Sequence, residues 1–275
     1  MNEEATPTPE AAIEETQQTN EVAHPARYPG QSKSSLREYA ESLLVTILLA
    51  LYATTFIVQA FKIPSQSMEP TLMVGDHLLV NKFIFGGRGH WFEKILPYRA
   101  VERGDVIVFK FPFDDHPHYV KRVIGLPGER IKIIDRQVYI NGLRLGEPYA
   151  VHKPYPTDPF GDDFPPTDRY FLNGGLRPEW AGEILKHVVK GELIVPPDHY
   201  FVMGDNRESS WDSRYWGFVH RDAIMGRPVV VYWSVSASSE DYDNRGLVST
   251  ILGIADALRH LPSRTRWNRL FHEVH

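Results

Sequence analysis

The chain has 275 residues, of which 42% are hydrophobic, 24% charged and 12% aromatic; this is a globular balance, long enough for one or two domains at roughly 100 to 200 residues each. It contains no cysteine, which excludes disulfide scaffolds, thiol catalysis, iron–sulfur clusters and Cys-ligated zinc. The formal net charge of −5 sits at the start: residues 1–26 hold six glutamates and no Lys or Arg, leaving the other 249 residues at +1. No broad basic face is expected, and nucleic acid is not an expected partner.

In chain order, residues 1–41 read as an acidic, solvated, disordered leader. Residues 42–61, SLLVTILLALYATTFIVQAF, carry no charge. At 1.5 Å per residue such a helix spans the roughly 30 Å hydrocarbon core, so one transmembrane helix is expected here. Arg27, Lys33 and Arg37 precede it and only Lys62 follows closely. This bias predicts a cytoplasmic N-terminus, a single pass, and residues 62–275 outside the cytoplasmic membrane.

Beyond the anchor the sequence turns to short β-type runs: 78–80, 105–111, 119–124, 131–134, 138–140, 199–203 and 228–233. Asn141-Gly142 follows one of them and suits a two-residue hairpin turn, where both positions need φ > 0. No long amphipathic helix interrupts the series. The expected fold class is therefore mainly β, an antiparallel β-rich catalytic domain preceded by one transmembrane helix. Six prolines between residues 147 and 166 forbid a helix there and suggest an irregular cap insertion at about 135–198. The stretch 259–275 mixes Arg259, Arg264, Arg266 and Arg269 with Trp267, Leu270 and Phe271, a pattern compatible with a lipid interface or with a packed surface segment.

Three blocks can carry chemistry. Ile63-Pro64-Ser65-Gln66-Ser67-Met68-Glu69-Pro70-Thr71-Leu72 lies directly after the anchor. A serine hydroxyl is a weak nucleophile and needs a base that removes its proton. None of the 12 histidines sits in a G-x-S-x-G setting. The alternative base is Lys121, within Tyr119-Val120-Lys121-Arg122-Val123-Ile124-Gly125-Leu126-Pro127-Gly128. An ordinary lysine is almost wholly charged at neutral pH, so burial must lower its pKa, with Tyr119, Val123 and Leu126 as the apolar wall. The third block, residues 204–217 (GDNRESSWDSRYWG), reads as a long ordered loop held by side-chain hydrogen bonds. Arginines beside its carboxylates argue against a cation site. Asp114-Asp115-His116-Pro117-His118 is read as a polar turn rather than a metal centre, and no metal site is expected.

SQSMEPTL at the membrane exit, RGDVIVF at 103–109, YVKRVIGLPGE at 119–129 and GDNRESSWDSRYWG at 204–217 together resemble bacterial type I signal peptidase, a membrane-anchored Ser/Lys protease. The resemblance implies Ser67 as nucleophile and Lys121 as general base, with Ser65 in the oxyanion hole. It implies that Ser210 orients the lysine and that Asp212 and Arg214 brace the loop. Ile63, Met68, Leu72, Tyr119 and Val120 fall where the family's pocket walls lie, and the implied pockets take small side chains. No cofactor is implied. The implied partners are exported preproteins and the lipid bilayer, with the translocation machinery a possible neighbour. Two rivals remain. A self-cleaving Ser/Lys repressor-type protease would need a DNA-reading domain, which residues 1–41 do not resemble. A tethered assembly protein would keep its function after Ser67→Ala and Lys121→Ala.

Overall fold

Alternation of apolar and polar side chains organises most of the ordered chain. In β2 (Asp76–Asn81) every second residue, Asp76, Leu78 and Val80, is buried. In β3 (Val106–Lys110) four successive residues are buried, because this strand is covered on both faces. Val106 and Val108 pack with Met68, Leu72, Leu78 and Val231, whereas Ile107 and Phe109 pack with Val123, Val202 and Trp216. The structure, a computed structural model, describes residues 35–86, 98–113, 118–152, 162–166, 175–236 and 263–275.

The first sheet has eight strands. Its path runs β1 (Val58–Lys62), β2, β12 (Ile224–Ser234), β3, β4 (His118–Gly125), β10 (His199–Met203) and β11 (Val219–His220), with β13 (His272–Glu273) paired to β12. Every pairing is antiparallel, and each of the seven expected runs contributes to a strand. The fold is mainly antiparallel β.

The described residues between 130 and 194 are more regular than an irregular cap. They hold a second antiparallel sheet in the order β7 (Leu143–Arg144), β6 (Gln137–Ile140), β5 (Arg130–Ile134), β9 (Glu192–Ile194) and β8 (Val188–Val189). Its core comprises Ile131, Ile133, Val138, Leu193 and Phe164, closed by Trp180 of α2 (Pro178–Glu183). The β6–β7 turn is the one Asn141-Gly142 predicts, with φ of 53° and 80°.

The apolar run 42–61 is not one helix. Helix α1 spans Ser35–Tyr52, gives way to a π-helical turn over Ala53–Ile57, and becomes strand at Val58. The cause is local and tertiary together. Thr54 turns its hydroxyl back onto the carbonyl of Ala50 at 2.8 Å, which competes with the helix ladder. The following residues then pair as an edge strand, Phe61 opposite Leu78. Among the described residues no helix is long and apolar enough to cross a membrane; the first turns of α1 carry Arg37, Glu38 and Glu41. The chain divides into two compact units, residues 1–48 and 49–275. The C-terminal segment is packed rather than free: Arg269 donates to Asp76 at 2.6 Å and to the Thr71 carbonyl at 2.9 Å, and Val274 is buried.

Candidate active site

Ser67 sits in a single 3₁₀ turn, Gln66–Met68, that is held from both sides. Met68 and Leu72 are in the core beside Ile63, and the Leu72 N–H donates to the Met68 carbonyl at 2.9 Å. From the opposite side, the Asn206 N–H donates to the Ser67 carbonyl at 3.2 Å and its side-chain amide to the Gln66 carbonyl at 3.1 Å. The serine therefore stands on a fixed backbone.

Lys121 comes from β4, with Ile107 of β3 as its register partner. Alternation places Tyr119 and Val123 on its own side of the strand, and the lysine is 2% exposed. Its Nζ lies 2.5 Å from Ser67 Oγ. Burial is the main influence on this amine and lowers its pKa from 10.5 to about 8, with Arg214 acting in the same direction and Asp212 and Asp205 opposing. When charged, the ammonium donates to Ser67 Oγ; when neutral, the hydroxyl donates to nitrogen. A buried amine poised near the ambient pH and in contact with a hydroxyl can take that proton as the oxygen attacks an electrophile. Ser65 Oγ lies 3.4 Å from Ser67 Oγ, on the same cavity.

The cavity beside the pair measures about 270 Å³ and is lined by Phe61–Ser65, Ser67, Met68 and His118–Lys121. Ile63, Met68, Tyr119 and Val120 are thus at its wall. Leu72 is not; fully buried, it packs under the turn with Leu78 and Val106.

Residues 204–217 close the site from behind. Asp212 caps α3 (Ser213–Trp216), and its carboxylate accepts from the Arg214 Nε and Nη2 at 2.9 Å each and from the Gly204 N–H at 3.1 Å. Burial pushes the Asp212 pKa up, but the Arg214 charge and these hydrogen bonds outweigh it and hold the carboxyl below its usual range. Ser210 stands apart from the expectation of a lysine contact. Its hydroxyl is buried near Asp212 and contributes to that field, yet it closes no hydrogen bond of acceptable geometry with any group among the described residues.

Several site residues had no separate signal in the sequence. Arg122 and Asp205, 83 positions apart, form a buried two-pronged ion pair at 2.8 and 2.7 Å. Thr71 donates to the same Asp205 carboxylate at 2.6 Å. Arg207, also buried, grips Glu147 at 2.5 Å. A Cβ on Gly204 would come within 2.3 Å of both the Ser67 carbonyl and Ser210 Oγ, so only glycine fits behind the turn. The blocks containing most of these residues were visible, but the pairing was not. The Asp114–Pro117 cluster lies outside the described residues. Among the described residues no three His, Asp or Glu are grouped to hold a metal ion.

Residues 36–233 match the family described as "Signal peptidase, peptidase S26". A signal peptidase I of Pseudomonas fluorescens is 36% identical over 214 residues, covering 72% of this chain and 73% of its own. That of Aquifex aeolicus is 30% identical over 260 residues, covering 83% of this chain and 97% of its own. That of Bacillus caldolyticus is 36% identical over 189 residues, covering 69% and 87%. A short serine-bearing turn, a buried lysine and these similarities agree, and the chain belongs to the peptidase S26 family of signal peptidases.

Proposed function

We propose that this chain is a type I signal peptidase, a serine endopeptidase that removes N-terminal signal peptides from exported preproteins by a Ser67–Lys121 dyad and cuts after small residues. The observation that carries the mechanism is the 2.5 Å contact between Ser67 Oγ and a lysine whose pKa burial brings to about 8. Neutral Lys121 takes the hydroxyl proton as Ser67 Oγ attacks the scissile carbonyl. The Ser65 hydroxyl and the Ser67 backbone N–H stabilise the oxyanion. The tetrahedral adduct collapses with cleavage of the C–N bond, and Lys121 gives its proton to the departing amine. Lys121 then deprotonates a water, whose attack on the acyl ester returns Ser67 to its hydroxyl form.

Substrate binding follows from the strand ladder. Residues 118–122 of β4 pair with β3 on one edge, while pairing with β10 on the other begins only at Arg122. Residues 118–121 thus present a backbone edge at the cavity, and an extended peptide can add there by β-augmentation. The cavity, with Ile63, Met68, Tyr119 and Val120 at its wall, suits small side chains next to the cut. In this reading Asp212 and Arg214 brace the loop. Ser210, buried beside Asp212, orients the lysine in this reading as well.

The same reading places the enzyme in the cytoplasmic membrane as a single-pass protein, with an acidic cytoplasmic leader and the catalytic domain, cap insertion included, outside. Its support is the uncharged run from Ser42, in which Leu43, Leu44, Val45, Ile47, Leu48 and Leu49 are all exposed. A helix apolar on every side calls for lipid or protein around it. Protease accessibility of the two ends in sealed vesicles tests the orientation. For the activity, a secretory precursor is incubated in detergent with the purified chain and with its Ser67→Ala and Lys121→Ala variants, and the products are weighed by mass spectrometry. The expected result is one cut after a small residue, lost in both variants; cutting by either variant would refute the assignment.

A further inference from the structure

We propose that the C-terminal segment Arg269–His275 is a positioning strap for the Ser67–Lys121 pair, an inference that rests on the proteolytic reading above. The strap acts through Arg122, the neighbour of Lys121 on β4. Arg122 is 3% exposed, and besides its ion pair with Asp205 its Nη1 donates to the Gly104 carbonyl at 2.7 Å and to the backbone carboxyl oxygen of His275 at 2.9 Å. Asp205 accepts from Thr71, and the next residue, Asn206, holds the carbonyls of Gln66 and Ser67. The joint therefore links the strand that bears the lysine to the turn that bears the serine, and the C-terminal segment supplies one of its acceptors.

The same segment grips the serine side directly. Arg269 donates to the Thr71 carbonyl and to Asp76. Val274, 3% exposed, packs in the cluster that contains Met68 and Leu72, the residues under the Ser67 turn. β13 fixes the segment to β12 through Val230 opposite Glu273 and Val231 opposite His272. Seven residues thus touch both halves of the dyad's support, and neither half is held to the other by local sequence. Loss of Val274 and His275 removes one Arg122 acceptor and opens a void beside Met68. Displacements approaching an ångström at a 2.5 Å contact have large kinetic effects, because misplacement by about 1 Å can cost about 100-fold.

The test compares the full chain with a chain ending at Glu273 and with Val274→Ala and Val274→Ile, all in detergent, against one secretory precursor between pH 6.5 and 10. Rates are normalised to the folded fraction read from near-ultraviolet circular dichroism. The strap predicts that kcat falls about tenfold or more in the shortened chain and several-fold in Val274→Ala, with KM within about twofold. It also predicts that the acidic limb of kcat/KM moves to higher pH. Water reaching Lys121, and an Asp205 charge less neutralised by Arg122, both favour the ammonium. Val274→Ile is expected to keep wild-type kcat and pH limb. A merely structural segment would lower the folded fraction and leave kcat per folded molecule and the limb unchanged, which would overturn the strap. If the shortened chain does not fold, Val274→Ala decides by the same two readings. A wild-type chain that cuts nothing would overturn the proteolytic reading and the strap with it, whereas a cutting wild type with unaltered variants overturns the strap alone.

Discussion

Replacing Lys121 by Met removes the amine but keeps an unbranched side chain of similar length in the same apolar wall. In the folded protein the Lys121 pKa falls from 10.5 to about 8 because burial disfavours the charge. The unfolded chain thus binds this proton more tightly than the folded one, and folding is penalised wherever the unfolded lysine is charged. A drop of this size corresponds to about 3 kcal/mol. The penalty is fully present below about pH 8, shrinks as pH rises from there, and vanishes above the unfolded value of 10.5. The Met variant is therefore expected to be inactive yet more stable than wild type, by up to about 3 kcal/mol at pH 7, less the Ser67 hydrogen bond of about 1 kcal/mol. Denaturant titrations of both proteins at pH 7, 8, 9 and 10 measure the difference directly. A gap that narrows steadily toward pH 10 supports the argument. A gap independent of pH, or a Met variant less stable at pH 7, would refute the claim that burial lowers the Lys121 pKa.

Further outcomes follow from the same geometry. Since the base must be neutral, kcat/KM is expected to rise with pH and level off above about pH 8; a limb near pH 6 would point to a histidine instead. Gly204→Ala forces a methyl against the Ser67 carbonyl, and a loss of about 100-fold in kcat is expected; near-normal turnover would show that the turn yields freely. Ser65→Ala should lower kcat by about 100- to 1000-fold with little change in KM, and Ser65→Thr should restore much of it. Asp212→Asn strands the buried Arg214 guanidinium without its carboxylate, at a cost of about 3 to 5 kcal/mol in stability, measurable as a lowered denaturation midpoint; an unchanged midpoint would show that the pair does not brace the loop.

Much of the fold was legible because its signals are local. The β3 run reads as strand from composition alone, and its burial on both faces explains why it does not alternate. Asn141-Gly142 marks its turn because few other residues accept φ > 0 at two successive positions. Asp135-Arg136, at φ of 47° and 67°, forms an equivalent turn between β5 and β6 but carries no glycine to announce it. The six prolines of 147–166 hid the second sheet, because its key pairing sets Arg130 opposite Ile194, far apart in the chain. The apolar run 42–61 was over-read as one helix. Its last residues, Val58 to Phe61, find an edge partner in β2, which hydropathy does not report.

From the chain order of residues alone came the β class, Lys121 as a candidate base and the loop expected to support it, which depend on residue type and near neighbours, while the choice of Ser67 came from the resemblance of its motif to a known family. The tertiary structure alone decided how those residues are surrounded and held. Lys121 has a lowered pKa because strands distant in sequence exclude water from it. Ser67 is placed because Asn206 grips its carbonyl from 139 residues away, and Arg266 and Arg269 bind Asp76 and backbone carbonyls because those acceptors lie within reach. Burial and long-range hydrogen bonding are properties of the packed chain, and no local pattern encodes which distant partner closes them.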